Sequence, residues 1–320
     1  MSTLDVITFG EILWDIYETG PEAFRRHLGG APANVATALA RLGVRAAVVG
    51  AVGRDRFGDA LVRHLAGDAV DTRFVLRLPN RTGITFITRG KGGEPEFLFY
   101  RHDSADMAMT PDHVSAKMAR ASWVLVGTST MVHKPLARAT VKLLELAARQ
   151  GSSVYVDLNV RAHLWPDREV MKQTIAALVQ CADIVKASDA DLAAVAGKSG
   201  VAWLKKNAPN ASWLLTFGAR GASAVGAHGV VSMPARKVKC VDATGAGDAF
   251  IAGSLAALLA AGAAPGSVAW SDPEVWTRAL EMGHILGAKA VGKAGAVTGL
   301  VGLGDARRRL GAIRRSTARE

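Results

Sequence analysis

Cysteine is scarce in this sequence. Cys181 and Cys240 are the only two in 320 residues, far apart and outside any CxxC or paired-histidine spacing. That excludes a disulfide framework, argues against a zinc site, and predicts two buried thiols. Acidic residues are also in deficit, with 28 Asp and Glu against 39 Lys and Arg and a formal charge of +11. A basic surface attracts nucleotides, phosphorylated metabolites, nucleic acid and acidic membranes alike, so charge alone selects no partner. Aromatic residues make up only 6%, and none interleaves with the arginines of the basic tail "DARRRLGAIRRSTARE" (Asp305 to Glu320). The tail reads as a solvated terminal helix or frayed end, and nucleic acid is not an expected partner.

Long apolar runs are missing as well. The longest uncharged stretch, Ala249 to Ser271, is interrupted by Gly253, Gly262, Pro265 and Gly266, which makes it a core helix too short to cross a bilayer. Asp5 and the absence of a basic segment before an apolar one argue against a secretory leader, so the expectation is a cytoplasmic protein without a membrane partner. None of the eight histidines falls in HxH or HExxH spacing, and none is assigned to a metal or to base duty. No Pro/Ser/Gly-rich linker, internal repeat or low-complexity tract divides the chain, so residues 1–320 are expected to form one domain.

What is present is an alternation of short β-branched runs with longer helical patterns, the mark of a parallel sheet covered by helices. Predicted strands are Val6 to Phe9, Ala46 to Val49, Trp123 to Val126, Val154 to Asp157, Asp183 to Lys186 and Trp213 to Thr216. A helix is predicted over Pro135 to Gln150, with Leu136, Ala139, Leu143 and Leu146 on its sheet-facing side. Two segments, Ile12 to Leu28 and Thr82 to Tyr100, instead alternate like antiparallel hairpins. They are read as one small sheet, a lid of about residues 12–30 and 82–104.

Two glycine-bearing motifs carry the chemistry. In "DATGAGDAFIAGSLAALL" (Asp242 to Leu259), Gly245, Ala246 and Gly247 precede an apolar helix, so their backbone N–H groups and the positive helix end form an anion hole. Asp248 beside it suits a base that takes a proton from a substrate hydroxyl attacking a phosphate held by those amides. A helix cap is the competing role for the same aspartate. In "GGAPANVATALARLG" (Gly29 to Gly43), a Gly-Gly turn leads into a helix begun by Pro32 and ended by Gly43, with Asn34 in its first turn. Neither motif is a Walker A loop or a GxGxxG fingerprint.

Together these motifs resemble the two signatures of the ribokinase, or PfkB, family of carbohydrate kinases, and the resemblance runs from "FGEILWD" to "GAKAVGKAGA". It implies a ribokinase-like three-layer α/β/α fold with a mainly parallel central sheet and a small β-sheet lid. It also implies an ATP- and Mg²⁺-dependent phosphotransferase, with Asp248 as base and Gly245, Ala246 and Gly247 at the phosphate. Asp15, Gly29, Gly30 and Asn34 would hold the sugar. "TFGARG" is similar to the family's nucleotide segment, implying that Thr216, Gly218 and Gly221 contact ATP, with Ser188 and Lys293 also on the nucleotide side. The family's NxxE motif departs here to Ser188 and Asp191, which leaves Asp191 a water-bridged route to Mg²⁺. Asp242 and Thr244 match positions that hold a monovalent cation, K⁺, in relatives.

"FLFYRHDSADMAMT" and "DLNVRAHLWPD" resemble fructokinase segments, so the resemblance implies D-fructose phosphorylated to fructose 6-phosphate. In it Arg101 and Arg161 orient sugar or phosphate oxygens, or else each pairs with a neighbouring acid such as Asp103 or Asp157. The same pattern resembles 2-keto-3-deoxygluconate kinases, in which arginine would meet a substrate carboxylate. Other sugar or nucleoside kinases of the family, and a sugar-binding regulator that has lost turnover, are the remaining alternatives. A homodimer paired through the lid is expected from its exposed strand edges and the resemblance.

Overall fold

A computed structural model of the chain describes residues 4–89 and 95–317. Its strands, in chain order, are β1 (Leu4–Phe9), β2 (Leu13–Gly20), β3 (Ala23–Gly29), β4 (Ala46–Gly53), β5 (Val75–Leu78), β6 (Ile84–Arg89) and β7 (Pro95–Tyr100). They continue with β8 (Ala121–Gly127), β9 (Ser153–Asp157), β10 (Ile184–Ser188), β11 (Ser212–Thr216), β12 (Ala222–Gly226) and β13 (Gly229–Met233). The helices are α1 (Ala31–Arg41), α2 (Arg56–Gly67), α3 (Lys134–Arg149), α4 (Arg168–Val179), α5 (Asp189–Ala196), α6 (Gly200–Asn207), α7 (Ala246–Ala260), α8 (Pro273–Ala290) and α9 (Gly304–Thr317).

Nine strands form the large sheet in the order β13-β12-β11-β10-β9-β8-β1-β4-β5. Pairing is parallel from β5 through to β11 and antiparallel for β12 and β13. Strands buried on both faces read as continuous apolar runs, which is why β1, β4 and β8 were legible in the sequence. Adjacent residues enter opposite cores. Val6, Trp123 and Ile184 pack with α1, α7 and α8 on one face, whereas Ile7, Val124 and Val185 pack with α3 and α4 on the other. These are the three layers the resemblance implied. On α3, Leu136, Ala139 and Leu143 are buried as predicted, with Leu146 partly so.

The small sheet has the order β3-β2-β6-β7. Its two antiparallel hairpins are joined by a parallel β2–β6 pair, so it is mixed rather than purely antiparallel. Residues 90–94, within the second predicted lid segment, lie outside the described residues, as do 318–320 of the basic tail. The remainder of that tail is helical as α9, with Arg308 and Arg309 in ion pairs to Asp305 and Glu281. Both cysteines are exposed, contrary to the prediction of buried thiols. Cys181 falls in the turn after α4, and Cys240 in the extended segment between β13 and α7, where no layer covers them. No helix among the described residues is long and apolar enough to cross a membrane.

Candidate active site

The chain enters the sheet at β1, extends to β4 and β5 on one side, then returns to β8 through β11 on the other. Connections leaving neighbouring parallel strands in opposite directions open a crevice at their carboxyl ends. Here Glu11 follows β1 and Ser129 follows β8, and the Ser129 hydroxyl donates to Glu11 Oε2 at 2.8 Å across that crevice. A cleft of about 960 Å³ runs from this point along the ends of β9, β10 and β11 to the start of α7. The small sheet walls one end with Leu13, Asp15, Thr85, Phe97 and Phe99.

The two glycine motifs meet inside the cleft. Gly30 caps α1 at φ 95°, a backbone conformation suited to glycine, and Gly245 caps α7 at φ 75°. Neither cap uses a side chain, so the first-turn N–H groups of α7 keep their positive end toward the cleft. Ala246 N–H donates to the Ala243 carbonyl at 3.2 Å, which leaves the following amides, from Gly247, as the better placed donors. Asp248 lies in the first turn but does not cap the helix. Its Oδ2 accepts from Asn34 Nδ2 at 2.8 Å, joining the first turns of α1 and α7 across 214 residues of sequence.

Burial pushes the Asp248 carboxyl up to about 7, with help from the negative Asp157 and against the Asn34 hydrogen bond, Lys186 and Arg161. Burial likewise raises Asp15 to about 8, reinforced by Asp248, Glu11 and Asp242 and opposed by Arg101. The Asp15 carboxylate lies directly over Gly29, where any Cβ would fall 2.4 Å from its carboxyl carbon. Two acids held above the usual carboxylate range, in one cleft, are suited to proton transfer.

The remaining predicted residues divide. Asp15, Gly30, Asn34, Arg101, Arg161, Ser188, Asp191, Thr216, Gly218, Gly221, Thr244, Gly245, Ala246, Gly247 and Asp248 all line the cleft. Gly29 backs Asp15, and Asp242 stands behind the α7 loop, its carboxylate accepting from Thr244 N–H and Gly295 N–H at 2.9 Å each. Lys293 is exposed and is not among the cleft-lining residues. Arg101 is buried and donates through Nε at 2.9 Å to Asp106, not to Asp103. Arg161 forms no ion pair with Asp157, which is bound instead to Lys186 at 3.2 Å; among the described residues its guanidinium donates to the Val160 carbonyl at 3.4 Å.

Sequence reasoning missed Glu11, Ser129, Asn159, Lys186 and His284, all of which line the cleft. Lys186 carried a signal, since a lysine centred in the apolar strand "DIVKAS" is costly without a purpose. Asn159 holds φ at 32°, uncommon for a side-chain-bearing residue. Nothing in the local sequence marks His284.

Comparison with known proteins decides the family. The sequence matches the pfkB family carbohydrate kinase profile over residues 4–301. The chain belongs to this family. It is 35% identical to fructokinase-1 of Zea mays over 310 residues, which span 92% of this chain and 94% of the maize protein. In fold it is similar to ATP-bound fructokinase from Xylella fastidiosa, at TM-score 0.83 and 29% identity over 98% and 99% of the two chains. It is also similar to a fructokinase double mutant from Vibrio cholerae O395 with fructose, ADP and potassium bound, at TM-score 0.84 and 26% identity over 97% and 99%. The kinase is therefore an ATP-using phosphotransferase acting on a sugar hydroxyl.

Proposed function

We propose that this kinase transfers the γ-phosphate of ATP to the primary hydroxyl of a ketohexose, D-fructose to fructose 6-phosphate. The observation that carries this reading is the Asn34–Asp248 hydrogen bond, which sets the base of one motif against the sugar-holding turn of the other. Asp248 accepts the proton of the attacking hydroxyl, the oxygen attacks the phosphoryl group, and the amides beginning at Gly247 take up its charge. Asp15, Gly30 and Asn34 hold the sugar, with Gly29 giving Asp15 its room. Asn34 Oδ1 is buried with no partner among the described residues, so a substrate hydroxyl would satisfy it. Thr216, Gly218, Gly221 and Ser188 border the nucleotide, and closure of the small sheet excludes water.

Magnesium, when bound, would supply positive charge to offset that of the ATP phosphates. The donor set suits an ion held mainly by phosphate and water. Asp191 already accepts from Val160 N–H at 2.7 Å, Ser188 N–H at 2.8 Å and the Ser188 hydroxyl at 2.7 Å, which leaves it at most a water-bridged contact. No cluster of three or more His, Cys, Asp or Glu ligands exists among the described residues. The Thr244 hydroxyl is buried, makes no hydrogen bond of good geometry among the described residues and interacts with Asp242 and Tyr17, so the Asp242–Thr244 loop suits a monovalent cation that would brace the anion hole.

The acids Glu11, Asp15 and Asp248 concentrate at the sugar end, and Arg101 is engaged by Asp106. Both features favour a neutral polyol over a keto acid. A 2-keto-3-deoxygluconate kinase is the second reading, favoured by the Arg161 guanidinium, which lines the cleft and makes no ion pair among the described residues. A panel of fructose, ribose, nucleosides and ketodeoxygluconate with ATP and magnesium, ranked by kcat/KM, decides between them. Fructose is expected to lead, and a lead for ketodeoxygluconate would replace this assignment. Asp248→Asn should lower kcat by about two to four orders of magnitude while ATP binding persists; parental turnover in that variant would refute the role of Asp248. A homodimer belongs to the same proposal. Phe24 and Tyr100, 54% and 66% exposed, both pack edge-on to Phe86 on the outer face of the small sheet, where a second copy would cover them.

A further inference from the structure

Lys186 occupies the middle of β10 and is 5% exposed, and in the parallel ladder it sits opposite Asp157 of β9, itself 3% exposed. Their side chains form an ion pair at 3.2 Å. A buried pair of this kind is poor evidence for stability, because burying the two charges costs about as much as their attraction returns. A different observation places the pair. A Cβ added to Gly247 would fall 3.1 Å from Lys186 Nζ, so the ammonium occupies the space that a side chain at the second residue of α7 would take. Lys186 also lines the cleft, and its charge acts on Asp248 as well as on Asp157. Sequence motifs pointed to the α7 amides and to Asp248 but not to this cation, which comes from a strand about 60 residues earlier.

We propose that Lys186 is a catalytic residue, a fixed cation at the floor of the anion hole that contacts the phosphoryl group as it passes between oxygens. The inference rests on the reading that the α7 amides receive that group. In the transfer, the substrate oxygen bonds to phosphorus and the bond from phosphorus to the ADP oxygen breaks. ADP keeps the electron pair, and the hydroxyl proton goes to Asp248. Lys186 exchanges no proton and stabilises the charge on the equatorial oxygens, which the amides alone share less completely. Asp157 holds the ammonium in place and keeps it charged. Glycine at position 247 then has a reason beyond backbone freedom, since a Cβ there would press on the ammonium at 3.1 Å and push it aside by a few tenths of an ångström.

The test uses three variants of the full-length enzyme with kcat, KM and directly titrated sugar and ATP affinities. Lys186→Met keeps the length of the side chain and removes the charge. Lys186→Met combined with Asp157→Asn removes both charges, so no uncompensated carboxylate is left buried. Asp157→Asn alone leaves the ammonium in place. Both variants lacking Lys186 are expected to lose about 10²- to 10³-fold in kcat, with sugar affinity within about threefold of the parent. Asp157→Asn should keep kcat within about tenfold. Parental kcat in a folded double variant would overturn the proposal, as would a loss confined to substrate affinity. Asp248→Asn, run alongside, separates the two ideas: if it abolishes turnover while the double variant does not, only the role of Lys186 fails, and if it leaves turnover intact, the reading of the α7 site fails with it.

Discussion

Asp248 is an acid set on the wall of the cleft, half-buried and crowded by protein, and that placement governs its chemistry. A base works only as its carboxylate, and burial with Asp157 nearby holds the proton on until about pH 7. The kcat/KM for sugar should therefore rise as pH increases through about 7 and fall below it. Asn34 lowers the affinity of Asp248 for its proton by donating to the ionised form. Asn34→Ala should move the midpoint of that rise upward by as much as about one pH unit, and it should also raise the sugar KM. A profile flat from about pH 5 to 8, or an unmoved midpoint in the variant, would remove Asp248 from the role of base.

The start of α7 works as an element because its cap is a glycine in a left-handed conformation and no side chain covers the helix end. Gly245 has φ 75°, and a Cβ there would meet Ala296 at 2.4 Å. Gly245→Ala should displace the first turn and cost about 1–3 kcal/mol of stability, with kcat falling more than tenfold. Gly218 has φ 58° and open space around it, so Gly218→Ala pays the backbone cost alone, about 1 kcal/mol. Chemical denaturation of the two variants measures the difference, and equal midpoints would refute the contact with Ala296. The glycine of Gly221 has another origin: φ 119° and the Met233 carbonyl 2.2 Å from where its Cβ would be, a packing constraint between β12 and the segment after β13.

At the scale of the whole molecule, the small sheet closes one end of the cleft with its inner face and presents Phe24, Leu98 and Tyr100 on its outer one. An apolar face of that kind is costly in water. Phe24→Asp together with Tyr100→Asp should convert a dimer to a monomer in sedimentation velocity, with the large-sheet fold retained by circular dichroism. A parent already monomeric at micromolar concentration would defeat the dimer proposal.

Strand-forming runs such as Trp123 to Val126 and the helix over residues 135–150 were legible because burial of a whole face writes its period into the sequence. The glycine motifs were legible too, since positive φ and close approach admit few other residues. The strands β5, β12 and β13 were not, being short and only partly buried, and both cysteines were placed wrongly because composition does not report which loops a layer covers. The pairing of Arg101 with Asp106, the Asn34–Asp248 bond and the approach of Lys186 to Gly247 all join residues that the sequence spaces without regular period. By itself the sequence determined the layers and the two glycine turns that open α1 and α7, because those depend on local backbone geometry and on periodic burial. Only the tertiary structure decided which charges face one another, because a charge's partner is fixed by strand order and helix docking, and no local pattern records either.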